Sequence, residues 1–154
     1  MAVKQTGIKI ICENRKARFN YEIMERFEAG LVLLGTEVKS LRAGQANLGD
    51  AYATLRGSEV FLLQCHISPY QTRHHADHEP MRPRKLLLHG SEIKKLIGKI
   101  QEKGLTLIPL KMYFKEGRAK VELGLCKSKK TIDKRETIKR RESDRQIRRE
   151  MKKR

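Results

Sequence analysis

The chain has 154 residues, a formal charge of +17, 5% aromatic residues and no Trp. That length holds one domain with one core, and that charge disfavours partners other than phosphate-rich polymers or an anionic membrane surface. The longest apolar run falls far short of a membrane span, and Lys4, Gln5 and Thr6 behind Met1 leave no apolar leader, so neither insertion nor export is expected.

In chain order, Gly7 to Cys12 is β-prone and Asn14 to Arg18 reads as a basic loop or turn. Tyr21, Met24, Phe27 and Glu28 recur at helical spacing, Asn20 is a natural cap and Gly30 a natural stop, which predicts a short helix over 20–29. Leu31 to Leu34 opens a buried strand that alternation carries through Gly35 to Arg42. Asp50–Leu55 and Glu59–His66 form a predicted hairpin around Arg56, Gly57 and Ser58. Between Pro69 and Arg84 the prolines, histidines and scarcity of large apolar side chains predict a long exposed, mobile loop. A second helix begins near Ser91, its apolar stripe being Ile93, Leu96, Ile97 and Ile100, and Gly104 ends it. Leu105–Phe114 and Ala119–Cys126 predict a hairpin in which Leu110, Met112 and Phe114 share a face, as do Val121, Leu123 and Leu125. The sum is a mainly β fold, an OB-like Greek-key barrel with two or three helices.

The chemistry-bearing residues are sparse. Cys12, Cys65 and Cys126 are odd in number and far apart, as reduced thiols of a cytoplasmic protein would be. His74, His75 and His78 with Asp77 and Glu79 match no zinc spacing and read as a solvated loop. His66 and His89 form no acid–base pair, Cys65 and His66 point to opposite faces of a strand, and no nucleotide or metalloprotease motif occurs. No catalytic residue, metal or cofactor is expected.

Basic clusters are the stronger signal. Arg15, Lys16 and Arg18, then Lys39 and Arg42, then Arg82, Arg84 and Lys85, then Lys127, Lys129 and Lys130 each border a strand or turn. Converging on one face they would track phosphates without reading bases. Glu37 is the exception: either it pairs with Lys39 or Arg42, or it accepts a hydrogen bond from a base edge or a 2′-OH. From Lys127 to Arg154 the chain carries 14 basic and 5 acidic residues, a net +9 of its +17. Ile132, Ile138, Ile147 and Met151 are too sparse to bury a helix face. Asp133 as cap with Glu136, and the pairs Asp144–Arg148 and Glu150–Arg154, make a latent helix. Arg145 with Arg149 and Arg149 with Lys153 oppose it. Free in water the tail is expected to be unfolded, with phosphate allowing the helix to form.

Together these residues resemble the SsrA-binding protein (SmpB) family of bacterial trans-translation. The resemblance rests on Asn14 to Ala17, Glu28-Ala29-Gly30, Gly35 to Arg42, Asn47-Leu48, and His66 to Tyr70. Arg84 to His89, Gly98-Lys99, Ile108 to Lys111, Tyr113-Phe114, Lys120 to Glu122 and Gly124-Leu125 continue it, and Lys127 to Lys130 with Asp133-Lys134-Arg135 complete it. The resemblance implies an adaptor without enzymatic activity. Its partners would be transfer-messenger RNA, held near the elbow of its tRNA-like domain, and elongation factor Tu through the RNA complex. A monomeric barrel over 1–130 would contact RNA through Asn14, Arg15, Lys16, Arg18, Glu37, Lys39, Ser40, Arg42, Arg84, Lys85, Lys127, Lys129 and Lys130. A tail over 131–154 would become helical in the vacant decoding site and message channel of the small ribosomal subunit. Asp133, Lys134, Arg135, Ile138, Lys139, Arg140, Arg141, Arg145, Arg148 and Arg149 would carry that contact.

Two departures stand out. Lys127-Ser128-Lys129-Lys130 has Ser where many relatives have Gly, and Arg141-Glu142-Ser143 replaces an Arg-Asp often followed by Trp. With neither aromatic residue nor histidine in the tail, Ile138, Arg141 or Arg145 would take the place of a stacking ring. Two rivals make different demands: a general single-strand-binding module needs more exposed aromatics than Tyr52, Tyr70, Tyr113 and Phe114. A structural ribosomal protein would sit on every ribosome.

Overall fold

The structure is a computed structural model; it describes residues 7–70, 78–129 and 131–152, without the side chains of 102, 103, 131–134, 136 and 137. Its elements run β1 (Lys9–Glu13), α1 (Arg15–Asn20), β2 (Tyr21–Leu31), α2 (Gly35–Arg42), β3 (Ala46–Asn47), β4 (Tyr52–Arg56), β5 (Glu59–Leu63) and β6 (His66–Ile67). Then come β7 (Arg84–Leu87), α3 (Gly90–Lys103), β8 (Thr106–Lys115), β9 (Arg118–Ser128) and α4 (Thr131–Lys152).

All pairings are antiparallel. The order β1-β8-β4-β5-β7-β2-β9, with β9 pairing back to β8, closes a barrel that carries β1 on the outside of β8. Closure removes the open edges that an antiparallel sheet otherwise leaves. Inside lie Phe27, Ala29, Val60, Leu62, Leu107, Met112, Val121, Leu123 and Leu125, and α3 lays Ile93, Leu96 and Ile100 against this core. A second, smaller cluster outside the barrel wall joins Ala17 of α1 to Ile108, Leu110 and Cys126.

One strand serves both clusters because β8 bulges. Pro109 faces Leu123 and Lys111 faces Glu122, so Leu110 is an extra residue. An odd residue shifts the side-chain alternation by one. Leu107 and Met112 therefore both point inward, five positions apart, while Ile108 and Leu110 point to α1. The predicted common face of Leu110, Met112 and Phe114 is corrected accordingly; that of Val121, Leu123 and Leu125 holds.

Both predicted hairpins are present, β4–β5 turning at Gly57 (φ 64°) and β8–β9 at Glu116 and Gly117 (φ 52° and 76°). α3 ends at Gly104, φ 62°, although it starts one residue before Ser91, with His89 as cap residue and its N–H donated to Glu92 (3.2 Å).

Three local readings are overturned. The helix expected over 20–29 is the long strand β2, because pairing with β9 from Tyr21 to Gly30 outweighs the local helical spacing. The strand expected over 35–42 is α2, which places Val38 and Leu41 against the core three positions apart. The basic loop at 15–18 is α1, capped by Asn14, whose Oδ1 accepts the Ala17 N–H at 3.2 Å.

Thr131–Lys152 is one continuous helix of 22 residues. Its described side chains are all exposed, so packing does not hold it. Intrahelical hydrogen bonds and good helix formers do so. The proposed cap Asp133 and its partner Glu136 lie outside the described side chains.

Candidate nucleic-acid interface

Four of the residues expected to touch RNA are buried and engaged inside the fold: Asn14, Glu37, Ser40 and Arg84. Asn14 divides its side chain between the α1 cap and the carbonyl of Pro109, to which Nδ2 donates at 3.0 Å, and its own N–H reaches Leu110 O at 2.8 Å. It bolts α1 to the bulge of β8. Ser40 Oγ donates to Ser68 O at 2.6 Å, tying α2 to the chain after β6.

Glu37 sits at the centre of a buried ionic cluster. Its Oε1 accepts from the Leu34 N–H (2.8 Å) and Arg82 Nη2 (2.6 Å), and its Oε2 from Arg84 Nε (2.5 Å). Arg84 Nη1 and Nη2 then donate to the carbonyls of Cys65 (2.5 Å) and Pro80 (3.1 Å). Burial on its own would raise the Glu37 carboxyl, but the Arg82 hydrogen bond, the Leu34 N–H and Arg84 outweigh it and hold the group below its ordinary value of 4.5. The expectation that Glu37 pairs with Lys39 or Arg42 is thus corrected: its partners are Arg82 and Arg84. Lys39 is two positions along the same helix, where side chains do not face one another, and the side chain is fully enclosed.

The second half of the expected exposed loop belongs to this cluster. His78 is buried, its Nε2–H donating to Ile67 O and its Nδ1 hydrogen-bonded with the Thr36 hydroxyl, each at 2.9 Å. Reading it as a solvated loop histidine is overturned by those two bonds. His74, His75 and Asp77 lie outside the described residues. Among the described residues no group of three or more His, Cys, Asp and Glu could hold a metal, and no helix is long and apolar enough to cross a membrane.

Of the barrel cations expected to touch RNA, those left exposed or half-buried and without an acidic partner among the described residues form two groups. Arg15, Lys16 and Arg18 project from α1. Lys127 and Lys129 join them, because Tyr21 pairs with Ser128, Lys129 N–H reaches Asn20 O (3.0 Å) and Lys129 Nζ reaches Arg18 O (3.1 Å). Lys130 lies outside the described residues. Lys39 and Arg42 belong to α2, which follows the far end of β2, and Lys39 Nζ sits 5.4 Å from the Tyr70 ring centre. The two groups therefore sit toward opposite ends of β2. Lys85 is half-buried and paired with Glu59 at 3.1 Å.

In the tail, Arg135, Ile138, Lys139, Arg140, Arg141, Arg145, Arg148 and Arg149 are all exposed, and the side chains of Asp133 and Lys134 are outside the described set. Arg141 reaches back to α1, its guanidinium 5.6 Å from the Phe19 ring centre.

Sequence reasoning missed three features. Arg82 was grouped with surface cations and is a partner of Glu37; only its pairing across 45 residues could show this. Phe19 received no role, and neither did Leu87 and Lys120. Leu87 is 52% exposed, beside Gly30 and Lys120, on a groove of about 270 Å³ that Arg118 also lines. The run of three leucines at 86–88 conceals which of them is exposed beside these cations.

On the outer wall, Glu28 accepts from Tyr113 OH (2.5 Å) and Lys115, and is held below its ordinary value chiefly by the Tyr113 bond. Burial and Glu28 push the Tyr113 hydroxyl up.

Comparison with known proteins agrees with this arrangement. The model of the family described as SmpB protein matches residues 11–153. The SsrA-binding protein of Syntrophobacter fumaroxidans is 60% identical over 139 residues, 90% of this chain and 86% of its own. That of Thermosynechococcus vestitus is 55% identical over 149 residues, 96% of this chain and 98% of its own. A solved structure described as "tmRNA-SmpB: a journey to the center of the bacterial ribosome" is 51% identical, with TM-score 0.65, covering 78% of this chain and 85% of that one. With a family match across almost its whole length and relatives of this identity, the chain belongs to the SmpB family.

Proposed function

We propose that the chain is a non-enzymatic RNA-binding adaptor of trans-translation, which binds the tRNA-like domain of transfer-messenger RNA and brings it to stalled ribosomes. The observation that carries this reading is the division of the cations. One set is fixed on a closed barrel by Asn14 and the β9 end; the other lies along a helix whose described side chains are all exposed. The barrel, residues 1–130, grips folded RNA through phosphate contacts and shape. Arg15, Lys16, Arg18, Lys39, Arg42, Lys127 and Lys129 make those contacts, and Glu37, Ser40, Asn14 and Arg84 hold the elements that present them.

Residues 131–154 probe the vacant decoding site and message channel of the small subunit. A message in the channel competes with the tail for the same space, so tail entry reports that the channel is empty. Arg141 and Arg145 supply planar guanidinium contacts where the tail has no aromatic ring. The adaptor works as a cytoplasmic monomer and meets elongation factor Tu through the RNA.

Truncation after residue 130 tests the division of labour. Filter binding should show transfer-messenger RNA affinity within about threefold of the full chain at physiological salt, with tagging of stalled chains lost. Equal loss of both activities refutes the division. Indifference between transfer-messenger RNA, ordinary tRNA and unstructured RNA refutes the choice of partner.

A further inference from the structure

Between α1 and α4 lies a notch of about 340 Å³, lined by Glu13, Asn14, Arg15, Arg18, Leu110 and Arg141. Three guanidinium groups from two elements thus border one small space. Arg15 and Arg18 are three apart on one helix, where like charges repel, and Arg141 adds a third charge from the tail. None of the three makes an ion pair among the described residues. Asn14 cannot answer them, since its oxygen and its amide nitrogen are engaged by Ala17 and Pro109. Glu13 brings the single carboxylate of the lining, so the notch keeps a surplus of positive charge.

Arg141 is also held. Its guanidinium carbon lies 5.6 Å from the Phe19 ring centre, within cation–π range, an attraction to the ring face that uses none of its N–H donors. Planar forks of this kind match tetrahedral oxyanions edge-on. At ~30 Å³ per water molecule, a space of this size admits a phosphate with part of its hydration shell.

We infer that the α1–α4 notch is a phosphate-binding site in which Arg15, Arg18 and Arg141 clasp one phosphate group, with Phe19 positioning Arg141. A phosphate there removes the repulsion between body and tail and fixes the direction in which α4 leaves the barrel. The site itself stands on the arginine geometry; assigning its phosphate to an RNA backbone rests on the function proposed above.

The full-length protein is titrated with pyrophosphate at constant ionic strength, and arginine Nε–H and backbone resonances are followed by NMR. The signals of Arg15, Arg18 and Arg141 should move together and saturate with one affinity. Arg141→Gln should weaken that affinity about fivefold or more, and Phe19→Leu by a smaller factor. Lys152→Gln removes the same charge ~16 Å farther along the helix and should change it by less than about 1.5-fold. Absence of saturation, or equal weakening by Arg141→Gln and Lys152→Gln, means diffuse attraction and overturns the site. A uridine trinucleotide without terminal phosphates supplies diesters alone: matching shifts assign an RNA backbone as the source, and shifts with pyrophosphate only assign a free phosphate.

Filter binding of transfer-messenger RNA by the same proteins separates the two claims. RNA binding with a silent notch overturns this site and leaves the adaptor reading intact. A saturable notch in a protein indifferent to transfer-messenger RNA does the reverse.

Discussion

Glu37 and Arg84, both fully enclosed, are joined at 2.5 Å, and neither can lose its partner cheaply. Removing one member of a buried pair leaves an uncompensated charge and costs about 3–5 kcal/mol. Glu37→Ala and Arg84→Ala should each lower the free energy of unfolding by that amount, read as a lower urea midpoint at unchanged slope, whereas Arg82→Ala, whose side chain is 31% exposed, should cost about 1–2 kcal/mol. Barrel stability unchanged by Glu37→Ala would show that the carboxylate is a contact residue after all. The same group predicts an acid limb. Its folded pKa lies below the ordinary 4.5, so its stabilisation is complete above 4.5 and disappears as pH falls through the folded value. Glu37→Gln should flatten the pH dependence of the urea midpoint in that window. The thiols give a third residue-scale expectation. Burial pushes Cys12 and Cys126 up to about 11 and Cys65 up to about 12, so at neutral pH almost none is thiolate. A disulfide reagent at pH 8 should leave the native protein nearly unlabelled and count three thiols once it is unfolded.

At the scale of elements, the tail helix meets the body at α1, where Arg141 lies against Phe19, and its described side chains are all exposed. A proline in a helix interior costs about 3 kcal/mol or more. Ile147→Pro should therefore reduce helical circular dichroism and abolish tagging while the barrel melts as before; a lowered barrel midpoint would mean that α4 braces the fold. The hairpins β4–β5 and β8–β9 and helix α3 were legible in the sequence because their signals are local: turn residues at Gly57 and Gly117, a stop at Gly104, and apolar spacing within one element. β2 was not, since Tyr21, Met24 and Phe27 imitate a helix until β9 is placed beside them. α2 hid for a related reason. Its N-terminal carboxylate was weighed as a ligand for RNA, when its partners, Arg82 and Arg84, lie more than forty positions away. The candidate site followed the same rule: exposed cations on α1, α2 and α4 were found by charge alone. The residues that fix them in place, His78 among them, depend on contacts that no local pattern encodes.

For the whole molecule, charge sets the affinity. Each phosphate neutralised contributes roughly −0.9 to the slope of log affinity against log salt on a duplex. Full-length protein on transfer-messenger RNA should show a steep slope, and Lys16→Gln and Arg42→Gln should each reduce it by about one. A slope unmoved by either substitution removes that residue from the footprint. The extra residue in β8 has a wider consequence. Because Leu110 is extra, the stretch of β8 that packs beneath α1 and the stretch that faces the interior lie on one strand with a break in alternation between them. Excising Leu110 would leave Leu107 and Met112 four positions apart, still in step on the inner face, while taking away a side chain of the α1 cluster and the carbonyl that accepts the Asn14 N–H; a one-codon deletion here would loosen the α1 platform and spare the barrel beneath it.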